Sequence, residues 1–499
     1  MSGRAAAAIR IWRARNTRTS GDRAYAAYLV LMVALVAVAP LARVVWLSAT
    51  SAEGAALLTA PAAPGVTALV VAALWAGAML VGRDRGPALL PPFPTHALAT
   101  GDLPRFDAFR GPLLRAGALV TSITTVVAGF VGIGLRISGH VDLLGVGAFV
   151  VVGALVGAVA TVAWLAGQAF PRAAVPVALG VLALGAATAA VPAALPLTPW
   201  GGVGLAYPGS AAPQTLAALC ALVALTAALV ATVPMLMDRL GLEELTAQAA
   251  RWDSATTHAT GMDWGAATTI YQRRPYRGRR LRAVRSTRPQ PILFLIRDAV
   301  GAARTPGRLI VGILSIAAAG TLLTLAFAPG APGWMLGAAA GVVLFAGLGP
   351  LTDGIRHAAN VAADFPLYGV SDERLLAGHA LFPLTVTVII LLVVAIAVAV
   401  AVGIAVAAPF VGSLALGVLA LVARISNAVK GPLPPALLAP IPTPMGDLGG
   451  AVRLTWALDG VLLATLAGAS AALVFSSPLL LVVAAAVFGI AIQRWRRRQ

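Results

Sequence analysis

The chain has 499 residues, of which 59% are hydrophobic and 11% are charged, and its mean hydropathy is +0.90. Soluble domains contain about 25% charged residues, so this composition excludes a soluble globular protein and predicts an all-helical polytopic membrane protein. The formal charge of +18 comes from arginines scattered over many segments, with Lys430 as the only lysine. This scatter predicts contact with lipid headgroups and argues against a nucleic-acid partner. Cys220 is the single cysteine, which excludes a disulfide framework and a multi-cysteine metal site.

Apolar runs of roughly 20 residues predict membrane-spanning helices. About twelve such runs occur, six on each side of a basic linker. They are residues 25–48, 65–82, 112–135, 142–166, 173–193, 214–237, 308–328, 333–351, 379–405, 408–428, 455–475 and 477–493. The predicted organisation is therefore a first six-span half (1–237), a basic linker (238–307) and a second six-span half (308–499).

The arginines are concentrated in alternate connections between the predicted spans. This distribution predicts the orientation of the chain in the membrane. The arginine-bearing segments are the head before the first span, the connections that contain residues 83–110, Arg172, 238–307, 356–374 and 424–453, and the tail RWRRRQ, whereas the connections between them are almost uncharged. Because basic loops remain on the cytoplasmic side, we expect both termini in the cytoplasm of a bacterial inner membrane. Two six-span halves of the same orientation are a transporter architecture.

The end of the linker, PILFLIRDAVGAARTPGR, has an amphipathic pattern. On a helix, Arg297, Arg304 and Arg308 share one face, and an apolar set that includes Ile292 shares another. This pattern predicts an interfacial helix lying flat on the membrane, with Asp298 beside Arg297.

Several kinds of chemistry have no sequence support. No Walker A motif surrounds Lys430, and neither HExxH nor GxSxG occurs, so we expect no catalytic site, bound metal or cofactor in this chain. The predicted spans contain few ionisable residues. Asp459 is the candidate intramembrane carboxylate, with an interfacial position near Arg453 as the alternative.

A charged segment, VSDERLLAGHAL, stands directly before the ninth predicted span. Ser371 is suited to cap a helix whose first turn contains Asp372 and Glu373, where the helix dipole favours negative charge. Arg374, Leu375 and Leu376 follow. A cytoplasmic helix that continues into a span could transmit a displacement from a soluble partner to the membrane.

At these residues the chain resembles the permease subunits of type-2 ABC exporters, which place a serine, charged residues and a Leu-Leu pair before a span. Gly369 and His379 stand where that family usually has proline and a basic residue. The segment IRDAVGAARTPGRL is also similar to the family's segment before the first span of a permease unit. The first half has LPRFDAFRGPLL at the corresponding place.

The resemblance implies two permease units fused in one chain and an amphipathic or lipid-like cargo. It also implies a separate ATPase, in two copies, that holds the ATP and magnesium. Docking is expected at a set of residues before the third and ninth spans: Leu103, Pro104, Arg105, Asp107, Arg110, Ser371, Asp372, Glu373, Arg374, Leu375 and Leu376.

Two other functions remain open from the sequence. A twelve-span secondary transporter of the major facilitator type is supported by the fragment Gly82-Arg83-Asp84-Arg85-Gly86 after the second span, but the loop is long and coupling carboxylates are few. A membrane-embedded lipid-modifying enzyme would require a cluster of Asp, His or Arg at one membrane face. No such cluster is evident from spacing.

Overall fold

The computed structural model describes most of the chain. The described residues are 19–35, 39–101, 103–209, 212–260, 264–272, 278, 289–362, 369–431, 433–439, 441–443, 446–447 and 449–497, with seven positions among residues 7–17. Most of the basic middle of the predicted linker lies outside this part, as do residues 363–368 shortly before Ser371.

The described regular structure is helical, apart from one antiparallel pairing of two-residue strands, Pro442–Thr443 with Gly446–Asp447. The α-helices are α1 Ser20–Val33, α2 Ala39–Ala49, α3 Ala52–Leu58, α4 Ala63–Asp84, α5 Pro92–Ala99, α6 Arg105–Ile137, α7 Leu143–Ala169, α8 Ala174–Ala190, α9 Pro199–Leu205, α10 Ala212–Ala231, α11 Val233–Asp238, α12 Leu242–Thr260, α13 Trp264–Ile270, α14 Gln290–Ala303, α15 Pro306–Leu325, α16 Gly333–Gly347, α17 Asp353–Val361, α18 Asp372–Val402, α19 Ala407–Val429, α20 Gly449–Ala471 and α21 Leu479–Arg496.

Ten helical segments in the described part are long and apolar enough to cross a membrane. They are Ala63–Asp84, Arg105–Ile137, Leu143–Ala169, Pro213–Asp238, Pro306–Leu325, Gly333–Leu351, Asp372–Val402, Ala407–Val429, Gly449–Ala471 and Leu479–Arg496. The predicted multi-pass helical architecture is thereby confirmed.

The predicted number of twelve spans remains a prediction at two places. The predicted fifth span is the apolar helix α8, which has 17 residues and stands at the short end of the spanning range. The predicted first span corresponds to α1 and α2, and residues 36–38 between them lie outside the described part.

The chain divides into two compact units: Met1–Thr260 with Trp264–Tyr271 (unit 1), and Gln272–Gln499 with Gly261–Asp263 (unit 2). Helix α12 lies in the predicted linker, yet it packs into unit 1 through buried Leu245, Gln248 and Ala249. Unit 1 therefore extends beyond the predicted boundary at residue 237.

Small residues allow close helix packing in both units. In unit 1, a Cβ on Gly167 of α7 would lie 2.0 Å from the carbonyl oxygen of Met79 on α4. In unit 2, a Cβ on Gly341 of α16 would lie 2.0 Å from the carbonyl oxygen of Ala464 on α20. Glycine contacts of this kind are typical of helix association in lipid, where backbones approach closely.

Two helices exceed the length that a membrane requires by the widest margin. Helix α6 has 33 residues and α18 has 31 residues, so each is on the order of 45–50 Å long at 1.5 Å per residue. The hydrocarbon core is about 30 Å thick. Each helix can therefore cross the core and still project its charged first turns beyond it.

Candidate functional site

The projecting start of α18 has the predicted cap. The Ser371 Oγ accepts a hydrogen bond from the Arg374 N–H at 3.5 Å, and the Ser371 backbone is extended as an N-cap requires. Asp372 and Glu373 occupy the first turn, and the helix continues to Val402. The prediction that a capped, charged helix start is continuous with a membrane helix is confirmed.

The side chains at this start differ in accessibility. Ser371, Glu373 and Arg374 are exposed, whereas Asp372 and Leu376 are partly buried. Leu375 is only 4% exposed and packs inside unit 2. Leu375 was predicted to contact a docked partner. Because its side chain is buried, it instead packs beneath the exposed residues of this helix start.

The corresponding start of α6 in unit 1 has no side-chain cap, because Pro104 is the N-cap residue. The Arg105 guanidinium donates instead to the Ala99 carbonyl at the end of α5. Asp107 and Arg110 form an exposed ion pair at 3.9 Å, and Leu103 is partly buried. Pro104, Asp107 and Arg110 are the members of the predicted set that this surface presents.

The amphipathic helix α14 is joined to α18 by a buried polar cluster. The His379 Nδ1 lies 2.7 Å from the Asp298 Oδ2, and the His379 Nε2 lies 2.8 Å from the Arg297 Nη1. The His379 side chain is completely buried and that of Asp298 is 9% exposed. Arg297 and Asp298, predicted to lie on an interfacial helix, are thus the residues that fix this helix to α18.

The two contacts of His379 define its tautomer. An arginine can only donate, so the His379 Nε2 must accept from Arg297. The remaining proton then lies on Nδ1, which donates to the Asp298 carboxylate. This arrangement satisfies both ring nitrogens of a buried imidazole in its neutral form.

A glycine and an aromatic ring close the cluster. A Cβ on Gly354, in the first turn of α17, would lie 2.4 Å from the His379 Nδ1 and 2.5 Å from the Asp298 Oδ2. The Phe294 ring meets the His379 ring edge-on with centroids 4.9 Å apart. Three helices, α14, α17 and α18, therefore converge on one buried histidine.

The amphipathic helix ends earlier than the sequence predicts. It stops at Ala303 with Arg304 as the C-cap, and Thr305 adopts φ −122° and ψ 67° before Pro306 begins α15. A residue before proline is driven out of the helical region. Arg308 consequently belongs to α15, where its Nη1 lies 3.0 Å from the Asp353 Oδ2.

Asp459 on α20 has different partners from the one expected. Its Oδ1 lies 2.9 Å from the Lys430 Nζ, and its Oδ2 accepts from Arg494. The side chain of Asp459 is 16% exposed and that of Lys430 is 9% exposed. The expected neighbour Arg453 instead donates to the Gly449 carbonyl. Asp459 therefore joins α20 to α21 and to the residue that follows α19.

A second polar network, in unit 1, was not predicted. The Gln248 Oε1 on α12 accepts from the Gly86 N–H at 3.0 Å and from the Gln168 Nε2 at 3.1 Å. The guanidinium carbon of Arg85 lies 3.1 Å from the centre of the Trp252 ring. Helix α12 therefore covers the RDRG segment, and burial lowers the pKa of Arg85. Gln168, a polar residue within the apolar helix α7, was the available sequence signal.

Together, the fold and the sites define a multi-pass helical membrane protein with charged, structured helix starts and buried polar junctions. Among the described residues, no group of three His, Cys, Asp or Glu side chains is arranged to bind a metal ion. Comparison with models of known protein families, with curated proteins and with solved structures finds no match to this chain.

Proposed function

We propose that this protein is the membrane subunit of an ATP-driven exporter that moves an amphipathic or lipid-like substrate. In this proposal a separate ATPase of the ABC type, in two copies, docks on the charged starts of α6 and α18. The two units are six-span permease halves in a bacterial cytoplasmic membrane, with both termini inside. The chain itself has no nucleotide-binding or catalytic role.

The observation that carries the proposal is the continuity of α18 from an exposed charged turn into a membrane span. Glu373 and Arg374 are accessible to a partner, and the same helix is held by the His379–Asp298 contact. A partner that displaces this turn would move both the span and the amphipathic helix α14.

The energy argument points to a partner. Changing a two-state equilibrium from 1:99 to 99:1 requires about 5.5 kcal/mol of differential binding. ATP binding and hydrolysis by a docked enzyme can provide energy of this order. Lys430, the lysine that a Walker A motif would need, is engaged with Asp459 at 2.9 Å.

The arrangement of residues in the structure gives little support to the alternative, a secondary transporter of the major facilitator type. Proton-coupled transport depends on a carboxylate that can exchange protons during the cycle. Both carboxylate oxygens of Asp459 are already engaged in ion pairs, one with Lys430 and one with Arg494. A lipid-modifying enzyme would need a reactive cluster, and the buried cluster at His379 is closed by Gly354 and Phe294.

The proposal can be tested by purifying the tagged chain from its native membranes in mild detergent. We expect an ATPase subunit to co-purify, and the complex to hydrolyse ATP. Joint replacement of Asp372, Glu373 and Arg374 by alanine should abolish both ATPase co-purification and ATP hydrolysis. The reason is that it removes the charged side chains of the proposed docking turn. Ser371 and Leu375 are left unchanged so that the cap and the packing remain.

Two variants make the test specific. Asp107→Ala with Arg110→Ala should weaken docking at the start of α6. Arg136→Ala with His140→Ala changes exposed charges at the far end of α6 and should change nothing. The absence of an ATPase from the wild-type preparation, or uphill transport by the purified chain on an ion gradient alone, would overturn the proposal.

A further inference from the structure

Unit 1 contains an apolar groove of about 340 Å³ that is open to the surface. Its walls come from α4, α7, α8, α10 and α11 and the residues between the last two, and include Trp75, Met79, Val181, Thr232 and Met235. The side-chain polar atoms of Trp75 and Thr232 in these walls already form hydrogen bonds within the protein. The Trp75 Nε1 donates to the Val156 carbonyl at 3.1 Å, and the Thr232 Oγ1 donates to the Leu229 carbonyl at 2.7 Å. The groove therefore suits a hydrocarbon chain, which needs no hydrogen bonds.

Arginines stand at one end of this groove. Arg83 follows Met79 by four residues on α4, and Arg239 follows Met235 by four residues, so each lies one helical turn beyond a lining residue on the same face. The guanidinium carbon of Arg239 is 5.1 Å from the centre of the Phe170 ring, next to the end of α7. Arg172 is exposed just before α8 begins.

The local charge favours an anion. Asp84 is next to Arg83 in the sequence and Asp238 is next to Arg239, so with Arg172 the arginines outnumber these carboxylates by one. The Arg83 side chain is partly exposed, so its guanidinium can meet a phosphate at the protein surface.

We propose that unit 1 binds an anionic phospholipid of the surrounding bilayer, with an acyl chain in the groove and the phosphate at Arg83, Arg172 and Arg239. A phospholipid has both required parts in one molecule, an apolar chain and a headgroup anion at its end. The groove lies among helices long enough to span a membrane, where such lipids are the surrounding solvent. The site does not depend on the proposed function, because the lipid can be a retained component or a cargo.

The first test is native mass spectrometry of the purified full chain with phosphatidylglycerol and phosphatidylcholine of identical acyl chains. We expect the wild type to retain phosphatidylglycerol preferentially. The double variant Arg83→Gln with Arg239→Gln should lose this preference, with binding about tenfold weaker, in line with the loss of two charge-assisted contacts. Met79→Trp, which fills the groove, should weaken binding of both lipids.

A matched control uses the exposed apolar surface at the start of α7, where Leu144 is 81% exposed. Leu144→Trp should leave the preference for phosphatidylglycerol over phosphatidylcholine unchanged, because the open apolar pocket at this surface is lined by Leu143, Leu144, Gly147, Ala148 and Val151, none of which is an arginine. A wild type that binds the two lipids equally, or a Met79→Trp variant that binds as the wild type does, would overturn the proposal.

The second test needs no groove-filling variant and so does not depend on its folding. Phosphatidylglycerol with brominated acyl chains quenches nearby tryptophan fluorescence, and Trp75 lines the groove. Quenching should be smaller in the conservative variant Trp75→Phe than in the wild type. Equal quenching in the two proteins would show that no acyl chain reaches the groove, as would occur if a protein segment covers it.

Discussion

The Nδ1 of His379 lies 2.7 Å from the Oδ2 of Asp298, and this contact joins the long helix α18 to the amphipathic helix α14. The Arg297 Nη1 holds the opposite ring nitrogen at 2.8 Å. Both helices are thereby tied to a single imidazole ring that is shielded from water. The stability of unit 2 should depend on this contact more than on any exposed ion pair described above.

The first prediction concerns Asp298→Asn. The amide can keep the shape but loses the charge-assisted hydrogen bond, so we expect the free energy of unfolding to fall by about 1–3 kcal/mol. The measurement is the thermal unfolding midpoint in detergent, followed by size-exclusion chromatography with fluorescence detection. Asp107→Asn breaks an exposed pair and should cost less than about 0.5 kcal/mol. Equal effects of the two substitutions would contradict the assigned role of Asp298.

The second prediction concerns Asp459→Asn. Lys430 and Arg494 would keep their positive charges in a largely buried place without a counter-charge, which costs about 3–5 kcal/mol. Adding Lys430→Gln should recover part of this loss, because one uncompensated charge is removed. Thermal unfolding of the single and double variants measures the coupling. Exposed Asp253→Asn is the matched control, and a double variant less stable than Asp459→Asn would refute the explanation.

The third prediction is a pH dependence. Burial, followed by the nearby Arg297 charge and the neighbouring His379 imidazole, lowers the pKa of His357 from 6.5. As the pH falls through 6.5, the unfolded chain takes up a proton that the folded protein resists, so unit 2 should lose stability. Above that pH both states are neutral and the histidine has no effect.

Unfolding midpoints at about pH 7.5 and about pH 5.5, on either side of the ordinary histidine range, test this effect. His357→Asn should reduce the difference between the two midpoints. His140→Asn, at an exposed histidine in unit 1, should leave it unchanged. If the wild type and His357→Asn lose the same stability on acidification, His357 is not responsible.

The fourth prediction concerns sidedness. With the natural Cys220 replaced by serine, a cysteine at position 374 should react with a membrane-impermeant maleimide only in inside-out vesicles. A cysteine at position 140 should react only in right-side-out vesicles, because the basic connections are expected inside. Labelling of both positions from the same side would reject the predicted orientation.

Local features of this protein could be predicted from sequence because neighbouring residues determine them. The cap at Ser371 depends on three residues that follow it, and the long apolar run after it depends on composition alone. Both were predicted correctly. The acidic residues in the first turn of α18 could also be predicted from sequence, because the helix dipole acts within one turn.

Partners distant in sequence could not be predicted in this way. His379 and Asp298 are 81 positions apart, and Asp459 is 29 positions from Lys430 and 35 from Arg494. Sequence reasoning paired Asp459 with Arg453 because it can judge distance only along the chain. The helix packing that brings Lys430 and Arg494 to Asp459 is a property of the folded unit.

Pro383 gives α18 a mechanical property that its length alone would not. Proline has no N–H, so the carbonyl four residues earlier, that of His379, lacks its usual intrahelical bond. The ring of His379 contacts α14, and its carbonyl is thus also at the position where α18 bends most easily. This position divides α18 into a short charged start at Asp372 and a long apolar part that ends at Val402, and a change of helix angle here would reorient one part relative to the other.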